Sequence, residues 1–339
     1  MRLTSLPRVR SGERMDYKRC RKKWYWRWRR GLRPRAHRFG PLELGTWLHE
    51  ALAVWYGEGR KTPLYLHFVA QAELAISLAM AGNAPEHIID KAEELAVLGE
   101  AMCKAYERYW QGDPNVRVIA AEVALEFTIP DDDGRIIAKH MLKPDLVFAD
   151  EHDDVWLMEH KSAAQVSTEH LAIDDQARPY GAMAERSLRR LGHIRKGQRF
   201  RGIMYNFLRK ALPDEREMNA EGKYLNKNGS VSKKQPPPLF VRKPITMTRA
   251  EKVLTLQRVQ RETIEITNMT LGLRSGQINP AHLMKTPHKS CPKTCDFWAM
   301  CVEEEKGTDI RDMERMMYIR EDPYSYAEST DIPVGFEIG

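Results

Sequence analysis

Residues 142 to 161 read Leu142-Lys143-Pro144-Asp145-Leu146-Val147-Phe148-Ala149-Asp150-Glu151-His152-Asp153-Asp154-Val155-Trp156-Leu157-Met158-Glu159-His160-Lys161. An apolar run reaches Phe148, a polar turn fills 150–154, and a second apolar run leads into Glu159-His160-Lys161, so two neighbouring strands are expected. Side chains alternate along a strand, which sends Glu159 and Lys161 to one face and His160 to the other. The turn brings Asp145 alongside, and Asp145, Glu159 and Lys161 are expected to share one pocket at the sheet edge.

Upstream, Val116, Val118, Ala120, Val123, Leu125, Phe127 and Ile129 make a first extended segment. Asp131-Asp132-Asp133-Gly134 turns it back into a second at 135–148, giving a three-stranded meander. Downstream, a helix is expected over 174–191 and a strand over 202–208, which completes an α/β core. Helical apolar spacing around Trp47, Leu48, Ala51, Leu52 and Trp55, then through 65–80 and 88–109, makes the first third mostly helical. Thr248-Arg249-Ala250-Glu251 reads as a capping box opening a long helix that ends near Ser275-Gly276. The expected divisions are a helical part at 1–115, a core at 116–247, a long helix with a cysteine cluster at 248–310, and a tail at 311–339.

The 339 residues are 42% hydrophobic and 30% charged, the range of soluble globular chains, and apolar runs fall short of the ~20 residues that span a bilayer. No membrane partner is expected. The first ten residues are basic without an apolar stretch, so no secretory signal is expected and the reading is a reducing cytoplasm. A net charge of +7 favours a polyanionic partner. Two carboxylates and a lysine in one pocket suit phosphodiester hydrolysis: the carboxylates hold Mg²⁺ or Mn²⁺, and the lysine orients or activates water and offsets charge at phosphorus. The alternative is a Glu–Lys pair on a solvated strand edge.

Four further features accompany these residues in order: His49 on a helix, Glu122 before the Asp strand, and Gln176 with Tyr180 four apart on the next helix. His49, Lys143-Pro144-Asp145, Glu159-His160-Lys161 and Gln176-Ala177-Arg178-Pro179-Tyr180 together resemble the RecB-like branch of the PD-(D/E)XK nuclease superfamily. The resemblance runs from about Ser11 to Cys301. It implies a restriction-endonuclease-like core, a mixed central sheet flanked by helices. It further implies that His49, Asp145 and Glu159 ligate Mg²⁺ or Mn²⁺, with the His160 carbonyl as a further ligand. Lys161 is the implied catalytic lysine, Gln176 and Tyr180 position DNA or the lysine, and Glu122 is an additional acidic residue. The chain is similar to stand-alone phage-encoded and CRISPR-associated members. The expectation is a DNA exonuclease acting on linear single- or double-stranded DNA in recombination or repair, alongside a recombination partner protein. A structure-specific or single-strand endonuclease and a non-catalytic DNA-binding scaffold are the alternatives. No Gly-x4-Gly-Lys-(Ser/Thr) motor loop is present.

Cys291-x3-Cys295-x5-Cys301 is too clustered for chance and, in a reducing compartment, reads as metal-binding. Cys103 falls on the apolar face of the long helix and reads as a core thiol, which leaves Cys20 as fourth ligand. The same nuclease branch has iron–sulfur members with a lone amino-terminal cysteine and three near the other end. The resemblance therefore implies a [4Fe-4S] cluster on Cys20, Cys291, Cys295 and Cys301, a staple between distant segments; one extra residue separates Cys291 from Cys295. Structural Zn²⁺ is the alternative. Between Lys18 and Arg35, cations including Arg21, Lys22, Lys23, Arg27 and Arg29 interleave with Trp24, Trp26 and Trp28. They contact DNA phosphates and bases, form a helix with a buried aromatic face and a solvated cationic one, or do both at once. The basic segment 222–246 is likewise a second DNA clamp or a solvated loop.

Overall fold

The computed structural model describes residues 6–35 and 39–325 and the backbone of residues 334–335. The chain opens with β1 (Arg8–Arg10), α1 (Ser11–Arg19) and α2 (Arg21–Trp24), a π-helical turn at Tyr25–Arg29 and β2 (Leu32–Pro34). Three long helices follow, α3 (Pro41–Gly57), α4 (Leu64–Ala81) and α5 (Glu86–Trp110). The strands are β3 (Arg117–Ala121), β4 (Leu125–Pro130), β5 (Ile136–Leu142), β6 (Leu146–Ala149) and β7 (Val155–Ala163). Helix α6 (Ala177–Arg190) crosses to β8 (Phe200–Arg209), and β9 (Phe240–Ile245) leads to α7 (Arg249–Arg274). Short helices α8 (Cys291–Thr294), α9 (Trp298–Glu305) and α10 (Arg311–Met317) precede β10 (Tyr318–Arg320) and β11 (Val334–Gly335).

The central sheet is mixed, in the order β3-β6-β7-β8-β9, with β7 and β8 parallel and the other pairs antiparallel. Alternation sorts its residues into two cores. Leu146, Phe148, Trp156 and Met158 meet the layer of α3, α4 and α5, while Val147, Val155 and Leu157 meet α6 and α7. Burial on both faces explains the continuous apolar runs of β6 and β7.

The expected meander is corrected. Its first two strands each break once, at Glu122 and at Lys143-Pro144, and each feeds two sheets: β3 and β6 join the central one, while β4 and β5 join a second, ordered β1-β5-β4-β11. Pro144 cannot donate to a ladder, and Glu122 turns the chain at φ 54°. The capping box is present in full: Thr248 Oγ1 accepts from the Glu251 amide and the Glu251 carboxylate accepts from the Thr248 amide.

Four other stretches bear on the expectations, two of them as corrections. Helix α4 is long and apolar enough by composition to cross a bilayer; it packs Leu64, Phe68 and Ala72 into the core with α3 and α5, leaving Leu66, Leu74 and Leu78 exposed. Residues 240–245 are a sheet strand rather than loop, and Arg242 turns inward to Asp113. The part of the expected tail that is described folds back: β10 pairs with β2 and Tyr324 donates to Glu13; the rest lies outside the described residues except for 334–335.

The last stretch is the basic aromatic block. Trp24 and Trp28 are one turn apart and pack with Val9, Tyr17 and Ile266, while Trp26 points oppositely, against Leu32, Phe297 and Tyr318. All three indoles are buried, so none is free to stack on a base. Lys22 is 1% exposed and paired with Glu304 at 2.5 Å; Arg29 is held by Glu13 at 2.5 Å. Lys23 pairs with Asp16, Arg21 lies over the Tyr17 ring, and Arg27 stands between Asp16 and Asp296. The block joins the two ends of the chain.

Candidate active site

Asp145 closes the Lys143-Pro144 break just before β6, and the pairing of Leu146 with Met158 sets it beside Glu159 on β7. The His160 amide donates to Asp145 Oδ2 at 2.7 Å. Helix α3 approaches closely because Gly45 faces Ser162; a Cβ there would lie 2.9 Å from Ser162 Oγ. One turn on, His49 Nδ1 reaches Asp145 Oδ2 at 3.4 Å. Asp174 precedes α6 and accepts from the amides of Gln176 and Ala177 at 2.9 and 2.7 Å and from Tyr205 Oη at 2.7 Å. Gln176 therefore stands at the helix start rather than on its flank. Its Oε1 accepts from Lys161 Nζ at 2.9 Å and its Nε2 donates to Glu159 Oε1 at 2.7 Å; Lys161 Nζ donates to the same oxygen at 2.7 Å.

These groups open onto a cleft of about 940 Å³ that His49, Glu122, Asp145, Glu159, Lys161, Gln176 and Tyr180 all line. The Tyr180 hydroxyl donates to the Lys143 carbonyl at 3.3 Å and steadies the Pro144 break. Glu122 lies in the other break, its amide donating to the Asp145 carbonyl at 3.0 Å and its carboxylate paired with Lys143 Nζ at 2.5 Å.

Burial raises the Asp145 carboxyl, but His49 and the His160 amide outweigh it and hold it down at about 2. Burial opposes charge on His49; the Asp145 carboxylate reverses this and raises the imidazole overall. Burial lifts Glu159, and Lys161 offsets that only in part. Lys161 is raised, since Glu159 outweighs its own desolvation, and it is a cation at neutral pH.

Beneath β7 lies a polar network that strand alternation alone does not reveal. His160 points into the α3–α5 layer, where burial lowers it to about 3 and keeps it neutral. Its Nδ1 sits 2.9 Å from Asn206 Nδ2, which also donates to Tyr106 Oη at 2.9 Å. Tyr56 stacks on His160 and donates to Asp113 Oδ2 at 2.7 Å, and Arg242 grips Asp113 from β9. Asp113, Asn206 and Arg242 lie far apart in sequence, so no local spacing marks the network.

Cys20, Cys291, Cys295 and Cys301 border one cavity of about 490 Å³, while Cys103 is buried within the α3–α5 layer. Burial and the neighbouring Cys20 and Cys291 raise the Cys295 thiol; Lys23 opposes them. Among the described residues no three His, Cys, Asp or Glu side chains form a ready-made metal cage. The donor types nevertheless suit each group: carboxylate oxygens and an imidazole for a hard divalent ion, and four thiols on one cavity for a soft metal centre.

No curated protein matches the chain. A family model described as the PD-(D/E)XK nuclease superfamily matches residues 15–302. Members generally use Mg²⁺ or Mn²⁺ and act on DNA. The match spans most of the 339 residues and every side chain lining the cleft named above, and the chain therefore belongs to the PD-(D/E)XK nuclease superfamily.

Proposed function

We propose that the chain is a Mg²⁺- or Mn²⁺-dependent deoxyribonuclease, an exonuclease that trims DNA ends in recombination or repair. The observation that carries this reading is the convergence of Asp145, Glu159, Lys161 and Gln176 on one cleft. His49, Asp145, Glu159 and the His160 carbonyl would hold the ion. When bound, it would supply polarisation of a phosphoryl oxygen and a stronger water nucleophile. Lys161, a cation held by Glu159 and Gln176, offsets charge developing on phosphorus. Tyr180 keeps the Lys143-Pro144 break, and so Asp145, in place. The resemblance to stand-alone phage-encoded and CRISPR-associated nucleases supports the exonuclease reading.

The four cysteines on one cavity support a structural [4Fe-4S] cluster, with Zn²⁺ as the second reading. Five free thiols accord with a reducing cytoplasm. Iron and acid-labile sulfide in anaerobically purified protein, lost in Cys295→Ala, would separate the two metals.

The test of activity is metal-dependent nucleotide release from linear and covalently closed circular DNA. Lys161→Ala should lose at least about 100-fold. Cutting of circles would replace the exonuclease with an endonuclease. DNA binding by the wild type without hydrolysis would make it a scaffold.

A further inference from the structure

Strand β8 ends at Arg209, paired with Ala163 at the end of β7, two residues past Lys161. Lys210 then lines the catalytic cleft, its amide donating to the Ala163 carbonyl at 2.8 Å. The chain leaves the sheet over residues 211–239 and returns through Leu239, whose carbonyl accepts from the Arg209 amide at 2.7 Å. The outgoing leg starts at the cleft, and the return leg rejoins the sheet beside that start.

The excursion is organised. Its legs bridge at Met218–Tyr224 and Leu225–Val231. Arg216 grips Asp214 with two nitrogens, donates to Ser232 Oγ at 2.9 Å and lies over the Tyr224 ring. Gln235 bonds the Tyr224 amide at 2.9 Å and its carbonyl at 3.1 Å. Pro236, Pro237 and Pro238 stiffen the return leg.

Its charge is divided: the outgoing leg carries Asp214, Glu215, Glu217 and Glu221, and the cations follow from Lys223 onward. No Asp or Glu occurs from Gly222 to Ala250. Lys223, Lys227, Lys233 and Lys234 are all exposed, and among the described residues no carboxylate pairs with any of them. Four unpaired cations on a stiff support near a cleft that takes a phosphodiester are complementary to a polyanionic backbone.

We propose that residues 222–239, braced by the leg before them, form a preorganised basic arm that grips the phosphate backbone of the nucleic acid whose scissile bond lies in the cleft. The proposal rests on the nuclease reading above. Because the arm is already ordered, little chain entropy is lost on binding, and its contacts act on phosphates regardless of sequence.

The experiment measures DNA affinity against salt concentration in Lys161→Ala protein, so that bound DNA is not consumed. Replacing Lys223, Lys227, Lys233 and Lys234 by Ser should make the slope of log K against log salt shallower by about 3, at roughly 0.7–0.9 per phosphate contact. Ser at Lys61, Lys91, Lys104 and Lys196, a charge-matched set on other surfaces, should leave it unchanged. An unaltered slope in the arm variant, or an equal change in both sets, overturns the arm while leaving the nuclease reading intact. Absence of DNA binding by Lys161→Ala and by wild type at any salt overturns the nuclease reading itself.

Discussion

Two stretches of this chain are rich in cations, and the fold uses them oppositely. In the amino-terminal block, Lys22, Lys23, Arg29 and Arg30 each have a carboxylate partner and the interleaved tryptophans are buried. In the arm, four lysines face solvent, and among the described residues no carboxylate pairs with any of them. The block has more charge but offers less of it. Charge available to a partner depends on where the acidic residues fold, which a count along the sequence does not register.

The sharpest way to break this comparison is to mutate the block. Trp24→Ala should cost about 3–5 kcal/mol through the cavity left in the cluster with Val9, Tyr17 and Ile266. Glu13→Ala should cost a similar ~3–5 kcal/mol, because it strands Arg29 as an unpaired buried charge and removes the acceptor of Trp24 Nε1. Urea titration measures both; a loss below about 1 kcal/mol would mean that the block is not the structural bolt described.

A smaller effect comes through pH. His140 pairs with Val9 across β1 and β5; burial, with Arg14 and Arg10 adding repulsion, lowers it to about 3 against an ordinary 6.5. The unfolded chain therefore binds the extra proton first. Stability is full above pH 6.5 and falls as pH drops below it, by about 1.4 kcal/mol per unit or roughly 2 kcal/mol at pH 5. His140→Leu should flatten that part of the profile, as read from thermal melts between pH 5 and 7.

The smallest effect is expected at the arm. Each of Lys223, Lys227, Lys233 and Lys234 changed to Ser should shift stability by no more than about 0.5 kcal/mol in the same urea titration, despite altering DNA affinity. Arg27→Ser, which releases Asp16 and Asp296, should barely alter the salt slope.

Much of the candidate cleft was legible because its parts are local. Alternation placed Glu159 and Lys161 together and His160 opposite, and the turn after β6 brought Asp145 to them. Pro144 was also a readable signal that the second extended segment must break; nothing in composition marks Glu122 for its left-handed backbone. Arg242 falls within the basic segment 222–246, and nothing local marks it as inward-facing because its partner, Asp113, lies 129 residues away and acquires its meaning only once β9 joins the sheet. The tryptophans were ambiguous for a similar reason: their burial depends on α7, Phe297 and Tyr318, which arrive from the far side of the chain.

That distance has a consequence for biosynthesis. Tyr324 donates to Glu13 across 311 residues, and Arg14 meets Glu262. At about 5–20 residues per second, a ribosome delivers residue 13 some 15 to 60 seconds before residue 324. The strands and helices that build the cleft, all contained within residues 41–210, emerge during that interval, while the amino-terminal block waits with its buried carboxylate and indoles unmatched. A nascent chain stalled after residue 250 should show protease-resistant cleft elements and a cleavable segment over residues 8–30. The cleft would thus take shape before the clasp that locks its two ends.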